Sequence, residues 1–560
     1  MRNCVFSVVG GLVSGRGAAA LCLAVGLVHA AGGMAMGQAA GAETAGAPAA
    51  APSPSTTPSP TAAKPAAEQP LVFTVTWDAA MMPMPYTGRL YIMMTSARRA
   101  TEPRMMASNW FRPPVILALD VKDVTAGTLV TLASNAPGVV TFPAKTEDLR
   151  QRISPEAKLR VQAIARLSKV DPVPGTGAGD LYSEPAEVEV GQTATLKLTK
   201  AAERKKFKES TRIKEFTLVS PSLSAFHGFE YPLRAGVSLP VGWSEEAVAG
   251  GKTWPVVYSV TGFGSDHQTV SGTARSEDFR DCIVVVPDAS NFHGHSVFAD
   301  SANTGPWGKA LTQELIPALE AKYGGPIRAA AEKDGVTERV AASSSRRFTT
   351  GVSSGGWSSL WLVVAYPDFF DSCWSHVPDP VDFRDFQQID LTAAGVNMYT
   401  DPKGNRRPIG RMGGNPSLWY DDFVAMERAL GPGGQIDSFE AVFSPRGSDG
   451  RPVPLFDRAT GKVDPAVAKA WEPYDIRLKL EREWKQIGPK LAGKVHVYAG
   501  EEDNFYLEGA ARLLKASLKE LGSDAVVEIV PGMPHTLHGA GQAKMIERMK
   551  QRQTEFEKAK

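Results

Sequence analysis

The chain has 560 residues, more than one hydrophobic core usually holds, so two folded units plus tails is the expected organisation. Hydrophobic residues make up 43% and charged residues 22%, the balance of a soluble globular protein. With 61 basic and 60 acidic residues the formal charge is +1, so no field of one sign draws nucleic acid or anionic lipid, and neither is an expected partner.

The chain opens with Arg2, an apolar run from Ala18 to Val28, and the small-x-small pattern Val28-His29-Ala30. This is the layout of a secretory signal peptide, placed at residues 1–37, and it is too short for a membrane span. Cys22 lacks a lipidation pattern, so the expected product is a free exported protein, periplasmic or extracellular, with no membrane insertion. Cys4 and Cys22 leave with the leader. Cys282 and Cys373 sit beside predicted strands that should not be neighbours, and two buried thiols are expected rather than a disulfide. Residues 38–70 are rich in Ala, Pro, Ser and Thr, cannot bury a core, and read as a disordered or extended linker.

From 71 to 212 short alternating runs are separated by turn residues. Leu71–Trp77, Arg89–Met94, Leu159–Ala165 and Ala194–Leu198 read as strands of an all-β, sandwich-like accessory domain. Its methionines (Met81, Met82, Met84, Met93, Met94, Met105, Met106) could serve soft-metal chemistry. Met93 and Met94 lie on one strand and face opposite sides, which favours packing. The basic stretch Lys200–Lys208 reads as solvated surface.

From 213 to 560 strands alternate with helices. Phe216–Val219 and Leu233–Leu239 read as an opening pair, and Pro255–Val260 and Cys282–Pro287 as strands buried on both faces. A helix is expected over Gly308–Tyr323. Arg347–Thr350, Val495–Ala499 and Ala525–Val530 supply later strands, whereas residues 386–481 read as irregular. The expected class is α/β, with a mostly parallel central sheet flanked by helices.

Between the strand ending at Thr350 and a helical run beginning at Gly356 lies Gly351-Val352-Ser353-Ser354-Gly355. G-x-S-x-G in a strand–turn–helix setting makes a tight turn that thrusts the serine hydroxyl out of the sheet, and Ser353 is the candidate nucleophile. Ser354 is one register off, since Val352 would then occupy a position that needs a small residue. In this chain order an acid and then a histidine should follow on loops after late strands. Glu501, Glu502 and Asp503 follow the strand ending at Ala499, and His535 follows the strand ending at Val530. Asp503 is the preferred acid and His535 the preferred general base, with Glu501 and Glu502 as rival acids and His538 as rival base. Oxyanion donors are expected from the N–H groups of Ser354 and of Phe263 in Thr261-Gly262-Phe263-Gly264. Asp288, His293, His295 and Asp300 share a loop beside the site. H-x-H with scattered carboxylates is a weak metal pattern, so no metal or cofactor is expected. Substrate-lining roles are assigned to His293, His295, Trp357 and Asp379, with Asp379 also a distant alternative acid.

Residues from about 213 to 540 resemble the esterase D-like branch of the α/β-hydrolases, which includes feruloyl and acetyl-xylan esterases, enterochelin esterases and mycolyltransferases. The resemblance rests on Pro255–Gly264, Glu314-Leu315-Ile316-Pro317, Gly351–Gly356, Gly500–Asp503 and Pro531–His535. It implies an α/β-hydrolase fold and a Ser353–His535–Asp503 triad. Many members have His-Gly where this chain has Thr261-Gly262. The expected activity is hydrolysis of a carboxylic ester, such as an acylated carbohydrate, through an acyl-serine. Acyl transfer to a sugar, or carbohydrate binding by a degenerate hydrolase, are the alternatives.

Overall fold

The computed structural model describes residues 70–98, 102–153, 156, 158–326, 331–333, 336–338 and 344–559. The expected leader at 1–37 and the linker up to residue 69 lie outside the described residues.

The N-terminal region is all-β apart from short helices. Its strands are β1 (Val72–Trp77), β2 (Tyr86–Ser96), β3 (Val115–Val124), β4 (Val130–Ala133), β5 (Val139–Phe142), β6 (Lys158–Ala165), β7 (Leu181–Ser183), β8 (Ala186–Glu189) and β9 (Ala194–Ala201), with helix α1 (Thr146–Ile153) between β5 and β6. Hydrogen bonds join them into one nine-stranded sheet in the order β4-β1-β9-β7-β6-β2-β3-β5, with β8 on β6. Phe73, Val75 and Trp77 of β1 share one core with Leu90, Ile92 and Met94 of β2. Strands from the two halves of the order thus share one hydrophobic cluster. Alternation does the sorting: Met94 joins that cluster, while Tyr91, Met93, Ile116, Ala118 and Ile164 face the other way and merge with the core of the following region.

That region holds an eight-stranded sheet built from β10 (Ile213–Ser220), β11 (Tyr231–Ser238), β12 (Val256–Val260), β13 (Ile283–Pro287), β14 (Arg347–Val352), β15 (Ser372–His376), β18 (Val495–Gly500) and β19 (Val526–Val530). Between β15 and β18 lies a separate hairpin of β16 (Pro408–Met412) and β17 (Asn415–Trp419). The sheet order is β10-β11-β13-β12-β14-β15-β18-β19. β11 is antiparallel to both neighbours, and every pairing from β13 to β19 is parallel. The chain leaves β12 toward β13 on one side and leaves β14 toward β15 on the other. Their carboxyl ends therefore diverge at a topological switch point, where open α/β sheets place their ligands.

Every residue of β13 and β14 is buried, as expected for strands covered on both faces. The covering helices include α2 (Ile316–Tyr323), α3 (Ser354–Ala365), α6 (Ile476–Leu491), α7 (Glu508–Glu520) and α8 (Gly539–Lys558). Glu320 of α2 receives both arms of Arg347 of β14 at 2.7 and 2.8 Å and the Tyr258 hydroxyl at 2.8 Å, all within the core. A buried pair of this kind persists only when its lone pairs are satisfied, and three donors meet that demand here.

The segment read as irregular, 386–481, carries the β16–β17 hairpin and helices α4 (Tyr420–Leu430) and α5 (Gln435–Phe443). The N-terminal sheet grips the turn between these helices. Arg89 donates to the Arg428 carbonyl at 2.8 Å, the Tyr91 hydroxyl to the Leu430 carbonyl at 2.7 Å, and Arg166 to the Pro432 carbonyl. Cys282 and Cys373 are free and buried, as expected. Among the described residues no helix is long and apolar enough to cross a membrane.

Candidate active site

Ser353 follows β14 and caps α3 with φ 61° and ψ −126°, a backbone conformation costly for a residue with a Cβ. Sterics explain the flanking glycines. A Cβ on Gly351 would lie 2.6 Å from the Val260 oxygen, and one on Gly355 would lie 2.8 Å from the Thr261 oxygen. The elbow therefore packs directly onto the end of β12, bringing Ser353 to the Thr261–Gly264 loop. Ser354 opens α3, so its N–H is among the helix-start donors without an intrahelical acceptor. The Thr261 carbonyl accepts from His295 Nε2 at 3.0 Å, while His295 Nδ1 accepts from the Val297 N–H at 3.0 Å. Those two bonds fix the tautomer, and burial lowers His295 to about 4, so it stays neutral. His295 positions the loop that bears Phe263.

The loops after β18 and β19 bring Asp503 and His535 together. Asp503 Oδ2 lies 2.8 Å from His535 Nδ1, and its Oδ1 accepts from the Phe505 N–H at 2.8 Å. Asn504 Oδ1 accepts the His535 backbone N–H at 3.0 Å, and Arg411 donates to the Asp503 carbonyl at 2.7 Å. His535 Nε2 is buried and without a hydrogen-bond partner. Burial depresses the imidazole, but Asp503 through charge and hydrogen bond, and Asp379 through charge, hold it above its ordinary value. Of the rivals, Glu501 and Glu502 are exposed, and His538 caps α8 by accepting from Gly541 N–H.

Asp379, the alternative acid, sits beside Ser353 instead. Ser353 Oγ donates to its Oδ1 at 3.4 Å and Ser354 Oγ to its Oδ2 at 2.5 Å. Burial raises this carboxyl from 3.8 to about 6. Gln435, at the start of α5, donates to Asp379 Oδ2 at 3.4 Å, a contact the sequence does not signal. The other loop residues disperse to separate partners. His293 pairs with Asp437 at 3.0 Å, Asp288 with His267 at 3.0 Å, and Asp300 accepts from the Gly308 and Lys309 N–H groups. The lining role for Trp357 is corrected: it is fully buried, stacked on Trp361 and packed against Phe443, because its place on α3 turns it into the core. His295 likewise serves the loop rather than an open surface.

Aromatic rings surround the pair. Phe505 meets His535 edge-on at 4.9 Å, and Trp110, from the loop before β3, lies 5.6 Å from Phe263, 5.1 Å from Phe423 and 6.0 Å from Phe505.

This is the α/β-hydrolase fold, and the protein is a carboxylic ester hydrolase of the serine esterase type. It belongs to the family described as "Putative esterase", which it matches over residues 227–521. Similar solved structures include an S-formylglutathione hydrolase from Agrobacterium tumefaciens (17% identity, 61% of this chain and 94% of that one, TM-score 0.33). Others are the fluorophosphonate-binding serine hydrolase F of Staphylococcus aureus (11%, 61% and 97%, TM-score 0.32) and a CE1 ferulic acid esterase from Anaeromyces mucronatus (14%, 60% and 90%, TM-score 0.29). No curated protein sequence matches the chain.

Proposed function

We propose that the protein is an exported serine esterase, acting in the periplasm or outside the cell on acylated carbohydrates or similar esters, with Ser353, His535 and Asp503 as its triad. The observation that carries the triad is His535: clamped on Asp503 through Nδ1, buried, and with Nε2 left as a free acceptor. In the reaction the Ser353 hydroxyl turns from Asp379 to His535 Nε2 and attacks the ester carbonyl carbon while its proton passes to Nε2. The Ser354 and Phe263 N–H groups hold the oxyanion. Collapse breaks the bond to the alcohol, which takes the proton from His535. Water then attacks the acyl carbon while His535 Nε2 takes its proton, and collapse breaks the bond to Ser353 Oγ, which recovers that proton as the acid leaves. Residues 71–212 form a sandwich-like accessory domain and 213–560 the catalytic domain, with 1–37 the removed leader.

Hydrolysis of p-nitrophenyl acetate by wild type and Ser353→Ala tests the chemistry: the variant should fall to background, and equal rates would refute it. Mass spectrometry of the protein from the exported fraction should find an N-terminus beyond the leader; an intact Met1 there would refute export by cleavage.

A further inference from the structure

Asp503 and His535 sit on two different loops, after β18 and β19, joined by a contact of 2.8 Å. Catalysis tolerates little drift between such groups, since a misplacement of about 1 Å can cost roughly a hundredfold in rate. One residue of the β16–β17 hairpin reaches both loops. Arg411 Nε donates to the Asp503 carbonyl at 2.7 Å, and its Nη2 donates to Glu508 Oε1 at 2.8 Å and to the Glu501 carbonyl at 3.3 Å. Its backbone grips the next residue: the Arg411 N–H donates to the Asn504 carbonyl at 2.8 Å, and Asn504 Nδ2 donates to the Arg411 carbonyl at 2.9 Å. The same Asn504 accepts the His535 N–H on its Oδ1 at 3.0 Å. The guanidinium also lies 4.7 Å from the ring centroid of Tyr506, whose φ of 59° is a strained conformation that persists only where neighbours enforce it.

We propose that Arg411 is a positioning residue for the reaction, fixing through the Asp503 carbonyl and Asn504 where the carboxylate meets His535 Nδ1. The inference rests on the Ser353–His535–Asp503 reading above. A guanidinium suits this task because its donors are set in one plane, so the bond to the Asp503 carbonyl and the bond to Glu508 fix each other's direction. Glu508, at the start of α7, anchors the far arm, and the two side chains are each only 17% exposed. A fully exposed pair would hold little, whereas this sheltered one braces the hairpin against α7. Lysine carries a single charged atom on a flexible stem, so it can reach the carbonyl or Glu508 without orienting both. The contacts of Arg411 lie on the acid side of the pair, so its effect on the reaction passes through Asp503 and His535.

The test is steady-state hydrolysis of p-nitrophenyl acetate by the full chain in a cycle of Arg411→Ala, Asp503→Asn and the double variant, with circular dichroism as a check on folding. Arg411→Ala should lower kcat roughly tenfold to a hundredfold, with KM changed less than about threefold. In the Asp503→Asn background the same substitution should lower kcat by no more than about twofold, because the pair it positions is already broken. A residue that merely stabilised the fold would cost the same proportion in both backgrounds. Arg411→Lys should recover part of the loss but not all of it. Where Arg411→Ala does not fold, Arg411→Lys runs the same cycle, with a smaller loss that again disappears in the Asp503→Asn background. Equal proportional losses in both backgrounds, a loss carried by KM, or Arg411→Lys as active as wild type would overturn the proposal. Asp503→Asn within about tenfold of wild type would instead remove the triad reading on which it rests.

Discussion

Two carboxylates act on His535, and Asp503→Asn against Asp379→Asn separates their roles. In the wild type Asp503 Oδ2 faces Nδ1 of the imidazole while Oδ1 is held by the Phe505 N–H. An asparagine keeps its oxygen on the Phe505 N–H, so its NH₂ must face Nδ1. That arrangement makes Nδ1 the acceptor and puts the proton on Nε2, where the base is needed. Losing the charge-assisted hydrogen bond to the imidazolium costs about 1.5–3 kcal/mol, and restoring the working tautomer strands a buried donor for a further 1–3 kcal/mol or so. Together these amount to about 3–6 kcal/mol, a fall of roughly 10²–10⁴ in kcat. Asp379→Asn leaves the tautomer intact and removes a charge that raises His535 together with one acceptor beside Ser353, so it should cost kcat less and shift the acid limb of kcat/KM to lower pH. Steady-state hydrolysis of p-nitrophenyl acetate from pH 5 to 9, with circular dichroism as a check on folding, reads both effects. Asp503→Asn within about tenfold of wild type, or Asp379→Asn the more damaging of the two, would refute the assignment.

If His535 is the base, activity in wild type should fall away below a pH above the ordinary histidine value of 6.5, because the base must be neutral and its carboxylate neighbours hold it up; a limb below 6.5 would contradict this. Asp379 should destabilise the fold at neutral pH. Its native value of about 6 exceeds its ordinary 3.8, so the unfolded state binds fewer protons and stability falls as pH rises through that window. Asp379→Asn should therefore raise Tm at pH 8 by the equivalent of about 3 kcal/mol at most and little at pH 4, measured by calorimetry. Glu320→Gln should cost about 3 kcal/mol or more by unpairing buried Arg347, seen as a Tm several degrees lower; an unchanged Tm would contradict that burial. His295→Ala frees the Thr261 carbonyl and should lower kcat roughly ten- to a hundredfold, with KM changed less.

The parallel sheet is legible in the sequence because strands covered on both faces must be continuously apolar, as Cys282–Pro287 and Pro255–Val260 are. The positions of Ser353, Asp503 and His535 are legible because each lies in the turn or loop after a strand of the sheet. Residues 386–481 are not. There, loops are held by side chains bonding nearby backbone, as Asn397, Asp401 and Asp457 do, and this leaves no periodic signal. Gln435 and Trp110 reach the site only through tertiary packing across long sequence separations. Trp357 shows the reverse case, where nearness to the nucleophile in sequence suggests a lining role but the turn of α3 directs the ring inward.

Tyr91, Met93, Ile116, Ala118 and Ile164 of the N-terminal sheet belong to the same hydrophobic cluster as β11, β12 and β13. The sheet therefore packs as part of the interior rather than as a unit hung on a linker. Cutting the gene after residue 212 would leave the second region with an uncovered hydrophobic face and an unheld α4–α5 turn. Heat or denaturant should melt the two regions in one transition. A substitution on one side of this seam should therefore cost more alone than when its neighbour across the seam is changed to match it.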